Sequence, residues 1–166
     1  MTEQLICEMI RYYSNDPRRI QHFVKVHDFS RTIGLLEKLT KEQLFVLETA
    51  AIVHDIGIKV SEEKYKSCMG KYQELEGPPV ARQMLNELGY SLDVTERVCF
   101  LVGHHHTYTE IDGMDYQILV EADFIVNLYE DNASTEAILN AYQKIFKTNS
   151  GRTILKNMFG IEVVEI

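Results

Sequence analysis

Thr40-Lys41-Glu42-Gln43-Leu44-Phe45-Val46-Leu47-Glu48-Thr49-Ala50-Ala51-Ile52-Val53-His54-Asp55-Ile56-Gly57 is the stretch that decides the fold. Its first four residues have the form of a capping box, in which a Thr hydroxyl and a Gln side chain satisfy backbone donors at a helix start. The run from Leu44 to Asp55 is strongly apolar and predicts a helix. Ala50 and Ala51 are small enough to let another helix approach closely. Gly57 is the expected end of the segment.

Working outward, the periodic signal is helical nearly throughout. Upstream, a short helix is predicted over roughly Glu3 to Tyr13. Asn15-Asp16-Pro17 is a start signal, with Asp16 as cap and Pro17 at the first helical position. The long helix that follows carries Ile20, Phe23, Val24, Val26, His27, Ser30, Ile33, Gly34, Leu36 and Leu39 at helical intervals. Downstream, Lys59 to Gly77 is polar and irregular, with short helical possibilities. Helices are predicted from Pro79 to about Leu88, closed by Gly89; from Ser91 through Val102; from Asp115 to about Tyr129; over Ala133 to Lys147; and from near Gly151. The one strand candidate is Ile161 to Ile166. The expectation is an all-α, compact bundle of irregularly packed helices.

The chain has 166 residues, 45% of them apolar and 25% charged, which suits one domain with a sizeable core. Its net charge of -8 and lack of a basic stripe argue against a nucleic acid polymer as partner. A local phosphate pocket remains compatible with an acidic protein. Cys7, Cys68 and Cys99 form no CxxC pair and suit a reducing compartment. Met1 to Glu8 carry acids and no long apolar run, so no signal peptide is expected. No apolar run is long enough to span a bilayer. The reading is cytoplasmic, with no membrane partner.

The residues that carry chemistry are His27, His54, Asp55 and Asp123. His54-Asp55 falls at the end of an apolar helix, and adjacent helical side chains point about 100° apart. Both reach one ion only where the backbone leaves the helix, and Gly57 supplies that terminus. Alone, the pair is better read as a packed His and a capping Asp, and a mid-helix His27 is more often a satisfied core residue than a ligand. Asp123 lies in the mostly apolar Leu119-Val120-Glu121-Ala122-Asp123-Phe124-Ile125-Val126. A carboxylate buried there needs an ion pair or a metal. An imidazole with a carboxylate is a good donor pair for a divalent ion.

His, then His-Asp, then a distant Asp on a helical chain resembles the HD superfamily of metal-dependent phosphohydrolases. The resemblance rests on Val26-His27, on Ala50-Ala51-Ile52-Val53-His54-Asp55-Ile56-Gly57 and on Glu121-Ala122-Asp123, and covers about residues 20 to 130. It implies an HD-domain helical bundle. Residues 1–166 would then be a single HD domain, with a family core at about 20–130 and C-terminal helices at about 131–160 packed on it. It assigns ligand roles to His27, His54, Asp55 and Asp123. His104 and His105, in the run Gly103-His104-His105-His106, resemble the ligands of the two-metal members, whereas His106 has no counterpart. Gln73 stands where those members usually have a further His. Glu74 or Glu76 would compensate as oxygen ligand or general base, or form a solvated acidic loop. One ion or two stays open.

Further catalytic candidates are Asp55, which would also orient water, Arg31, one turn after His27, and Lys59, close behind the HD pair. Arg19 and His22 are read as lining an entrance. The resemblance implies hydrolysis of a nucleotide or other small phosphorylated metabolite, with a divalent ion (Mn, Fe, Co, Ni, Zn or Mg) as cofactor. Two alternatives are a di-iron oxygenase on the same fold and a non-catalytic nucleotide- or metal-binding module. The sequence carries no signal for oligomeric state.

Overall fold

The stretch from Thr40 to Gly57 forms the centre of the molecule. In the computed structural model, which describes residues 1–162, it is a helix whose Leu47, Ala50, Ala51, Ile52 and Val53 have no exposed surface. The capping box is formed: Gln43 N donates to Thr40 Oγ1 at 3.2 Å and Thr40 N donates to Gln43 Oε1 at 3.0 Å.

Nine helices make up the described residues: α1 (Thr2–Tyr12), α2 (Pro17–Leu36), α3 (Lys41–Val53), α4 (Ile58–Tyr65), α5 (Gly70–Glu87), α6 (Leu92–Val102), α7 (Met114–Glu130), α8 (Thr135–Lys144) and α9 (Asn149–Phe159). There is no strand among them, and the fold is all-α as the pattern predicts. Residues 163–166 of the strand candidate Ile161 to Ile166 lie outside the described residues. No described helix is long and apolar enough to cross a membrane. α3 packs against α1, α2, α6 and α7; α2 and α7 pack on each other; α5 lies between α4 and α6; and α9 closes on α2, α7 and α8. α2, α3 and α7 therefore form an inner triad, and the site described below draws on the second turn of α2, the C-terminal end of α3 and the middle of α7.

The start signal before α2 works as expected: Asp16 accepts from Arg19 N at 3.1 Å, with Pro17 at the first helical position. Ser91 stands at the N-cap of α6 without a side-chain cap bond. Lys59 to Gly77 is the main departure. It is not irregular but is most of α4 and the first half of α5, and Pro78-Pro79 lie inside α5 rather than starting a helix. The buried face of α5 is Gln73, Gly77, Ala81 and Leu85, spaced by four. That is a full helical stripe, but half of it is Gln and Gly, so no apolar periodicity announced it. The two prolines each forgo a backbone bond, and packing on α4 and α6 carries the helix through them.

Gly57 is needed for space, not for an unusual backbone angle. A Cβ there would come 2.6 Å from the Gln73 carbonyl oxygen and 2.7 Å from Gly77 N. This contact draws the start of α4 onto α5, which brings Gln73 beside the His-Asp pair.

Candidate metal centre

Four side chains from the inner triad meet at one point. α2 contributes His22. α3 ends at Val53, and the turn after it presents His54 and Asp55. α7 contributes Asp123. His22 Nε2 lies 3.3 Å from His54 Nε2, 3.2 Å from Asp123 Oδ1 and 3.4 Å from Asp55 Oδ2. His54 Nε2 lies 3.4 Å from Asp55 Oδ2 and 3.5 Å from Asp123 Oδ1. All four are buried or nearly so; His54 is wholly buried.

The opposite ring nitrogens fix what these atoms are. His54 Nδ1 is 2.8 Å from the Ala51 carbonyl, and His105 Nδ1 is 2.8 Å from the Val102 carbonyl. A carbonyl only accepts, so each Nδ1 carries the proton. His22 Nδ1 likewise faces the Glu130 carboxylate at 3.0 Å. Each Nε2 is then left with a lone pair for the site, the arrangement seen at ligating histidines. His105 Nε2 is buried without a hydrogen-bond partner, 3.4 Å from Asp55 Oδ1.

Asp55 joins two donor groups. Its Oδ2 faces His22 and His54, and its Oδ1 faces His105. His22, His54 and Asp123 form one set with ligand atoms within 4.8 Å of one another, and Asp55, His105 and His106 form another. Electrostatics points the same way. Burial opposes charge on His22 and His54, yet Asp123 and Asp55 outweigh it and both imidazoles titrate above their usual value. Burial also pushes Asp55 and Asp123 up, but the imidazoles beside them, His54 for Asp55 and His22 for Asp123, hold both below the usual carboxylate range. The cluster demands positive charge, and a divalent ion between imidazole and carboxylate donors meets that demand.

The structure brings together His54, Asp55, Asp123 and His105 of the residues singled out in the sequence. His27 is a correction. Five residues along a helix is about 140° of rotation from His22, and His27 instead meets Glu48 at 3.0 Å, on the other side of α2. His22, read as an entrance residue, stands in the cluster instead. It could have been found from its phase, since it shares the buried side of α2 with Val26, Ser30 and Ile33.

His104 is the second correction. Its Nδ1 is 2.7 Å from the Phe100 carbonyl and its ring stacks on Phe100, whereas His106 turns inward. His106 Nε2 meets Gln73 Oε1 at 3.1 Å, and Gln73 Nε2 donates to the Cys68 carbonyl at 2.6 Å. Burial, then the neighbouring His105, pull the His106 pKa down to about 4. Gln73 thus stands beside the second donor group and orients one of its rings.

The remaining candidates lie elsewhere. Arg31 is half exposed, 3.4 Å from Glu48. Lys59 reaches back over the Tyr12 ring and to the Tyr12 carbonyl at 3.4 Å. Glu74 accepts from His106 N and Thr107 Oγ1, bracing the histidine loop. Glu76 is held by Lys64 and Tyr65. None of the four lines the cleft of about 330 Å³ that opens over the cluster; Arg18 and Arg19 do. The segment that presents Asp55 is pinned from α1, where Tyr13 Oη donates to the Asp55 carbonyl at 2.7 Å and Tyr12 Oη to that of Ile56 at 3.2 Å.

A helical domain with a His-Asp cluster at the junction of three inner helices is thereby defined. The comparisons narrow it: the HD domain family model matches residues 19–142, and the chain belongs to that family. Its fold is similar to the crystal structure of a predicted HD superfamily hydrolase from an uncultured Thermotogales bacterium. The TM-score is 0.69 at 20% identity, covering 95% of this chain and 84% of that one. No curated protein matches the chain.

Proposed function

We propose that the chain is a metal-dependent phosphohydrolase acting on small phosphorylated molecules. The observation that carries this reading is the convergence of the His22, His54 and His105 lone pairs with the Asp55 and Asp123 carboxylates at the base of a cleft that also bears two arginines. His22, His54, Asp55 and Asp123 would hold one divalent ion. Asp55, His105 and His106 would hold a second, more weakly, because Gln73 contributes a neutral amide where a further imidazole would strengthen the site. An ion bound there would supply Lewis acidity to a phosphoryl oxygen and to an attacking water.

The chain's own residues do the rest. Glu130 holds His22 in the ligating tautomer, and Asn127 Nδ2 donates to Asp123 Oδ1 at 2.8 Å, fixing that carboxylate. Asp55 spans both donor groups and would orient an attacking water. The cleft arginines, Arg18 and Arg19, give its mouth a positive field that favours an anionic substrate.

The test is metal analysis of untagged protein, with a phosphomonoester assay under argon. The native protein should bind divalent metal and turn over without dioxygen. Asp55→Ala should lose metal and more than about 100-fold in activity while remaining folded. Equal metal content in the two proteins, or turnover that requires dioxygen, would sink this reading.

A further inference from the structure

The cleft is walled by charges that are mostly already spoken for. Asp16 caps α2 and also meets the Arg19 guanidinium at 3.0 Å. Arg19 is held on its other side by Glu62 at 2.6 Å, which ties α2 to α4. Glu130 is shared between His22 at 3.0 Å and Lys25 at 2.6 Å. Arg18 differs from all of these. Its side chain is 77% exposed, and its one ion pair is a 3.9 Å contact with Asp131, itself 69% exposed. An exposed contact of that length contributes little. Among the described residues that line the cleft, Arg18 is the cation without a close carboxylate.

Its position gives that charge a use. Arg18 precedes His22 by four residues, so it lies on the same side of α2, about 6 Å further along the axis from the donor cluster. A phosphate engaged at the cluster would leave Arg18 facing whatever the substrate carries a few bonds away. The guanidinium fork matches a carboxylate or a phosphate with two parallel hydrogen bonds. The cleft volume of about 330 Å³ is at the small end for ligand sites, which limits that remainder to a short tail.

We propose that Arg18 is a specificity-determining residue that binds a second anionic group of the substrate, so that the site selects small phosphorylated molecules bearing a further carboxylate or phosphate over simple phosphomonoesters. The proposal rests on the phosphohydrolase reading for the placement of the first phosphate.

The test is calorimetry on the metal-loaded full chain with three stable probes: propylphosphonate, phosphonopropionate and propylene diphosphonate. They share a phosphonate and differ in the far end, which is neutral, carboxylate or phosphonate. The native protein should bind at least one doubly anionic probe about tenfold or more tightly than propylphosphonate, as one charge-assisted pair predicts. Which of the two binds better identifies the second group. Arg18→Ala should bring that ratio to about 1, and Asp131→Asn, which removes the competing carboxylate, should raise it. A native ratio near 1, or a ratio undiminished in Arg18→Ala, overturns the proposal. Either result beside metal-dependent turnover of p-nitrophenyl phosphate leaves the hydrolase reading standing, whereas absence of both turnover and phosphonate binding removes the two together.

Discussion

His22 and His27 lie five residues apart on α2, and each meets a glutamate at 3.0 Å. Around His22 the glutamate takes only one ring nitrogen, and the other faces His54, Asp55 and Asp123. Around His27, Nε2 itself is taken by Glu48, which Arg31 also approaches. The first arrangement leaves a directed lone pair in a buried acidic cluster. The second is a half-buried polar contact between α2 and α3. What separates the clustered histidine from the peripheral one is helix phase and which nitrogen the partner occupies; residue type and local charge are nearly the same.

The largest expected effect breaks the pair apart. His22→Ala should lose tightly bound metal, and His27→Ala and Arg31→Ala should keep it at native stoichiometry. Metal content after desalting measures this, and retention in His22→Ala would return the ligand role to His27. A smaller effect sharpens the roles of the two glutamates. Glu130→Gln should weaken metal affinity by about 10- to 100-fold, because the carboxylate no longer fixes the His22 tautomer. Glu48→Gln should leave affinity within about twofold of native by the same criterion. Competition with a fluorescent chelator distinguishes them, and equal effects would remove the contrast.

The smallest effect is in pH dependence. His22 and His54 titrate above 6.5 in the folded chain, so their protonation contributes stability that is complete below 6.5 and lost as pH rises through the folded values. Asp55 and Asp123 titrate below 3.8, so their contribution is present above 3.8 and lost as pH falls through the folded values. Metal-stripped protein should therefore lose stability as pH rises above 6.5. Below 6.5 His106, held down to about 4, acts the other way and costs stability as pH falls, so the optimum lies near 6.5. Metal-loaded protein should keep its Tm above 6.5, where the ion replaces the departed protons. The decline should persist in His27→Ala and shrink in His22→Ala. A flat stripped-protein profile above 6.5 would contradict the balance of charges described here.

The helices were legible where apolar residues repeat, as in α3 and α7, and where caps are written in side chains, as at Asp16 and Thr40. α5 was not, because Gln73 and Gly77 fill buried positions that a hydrophobic pattern leaves blank. Of the site, His54, Asp55 and Asp123 could be read because an apolar setting makes polar residues conspicuous. The sequence places His22 at an entrance because the order His, His-Asp, Asp fits either histidine, and only the angular count along α2 separates them. The choice between His104 and His106 had no such resource. Their loop is set by Glu74, by Tyr116, whose hydroxyl lies against the His104 and Thr107 carbonyls and donates to one of them, and by Arg97 on Asp112 and Asp115. These are contacts between separate elements, from 9 to 33 residues apart in the chain, with no periodic pattern to announce them.

The two phenols at the C-terminal end of α1, Tyr12 and the capping Tyr13, have a consequence for modularity. Tyr12 and Tyr13 precede the family-matched segment that begins at residue 19, yet they grip the carbonyls of Asp55 and Ile56. Burial, then the nearby Asp55 carboxylate, push the Tyr13 hydroxyl above its usual range, so it remains a donor throughout ordinary conditions. A transplant of residues 19–142 into another scaffold would carry every candidate ligand and leave behind the splint that holds one of them. The unit that is portable as a sequence motif is therefore smaller than the unit that is portable as a rigid centre, and a graft meant to preserve the geometry must begin upstream of Tyr12.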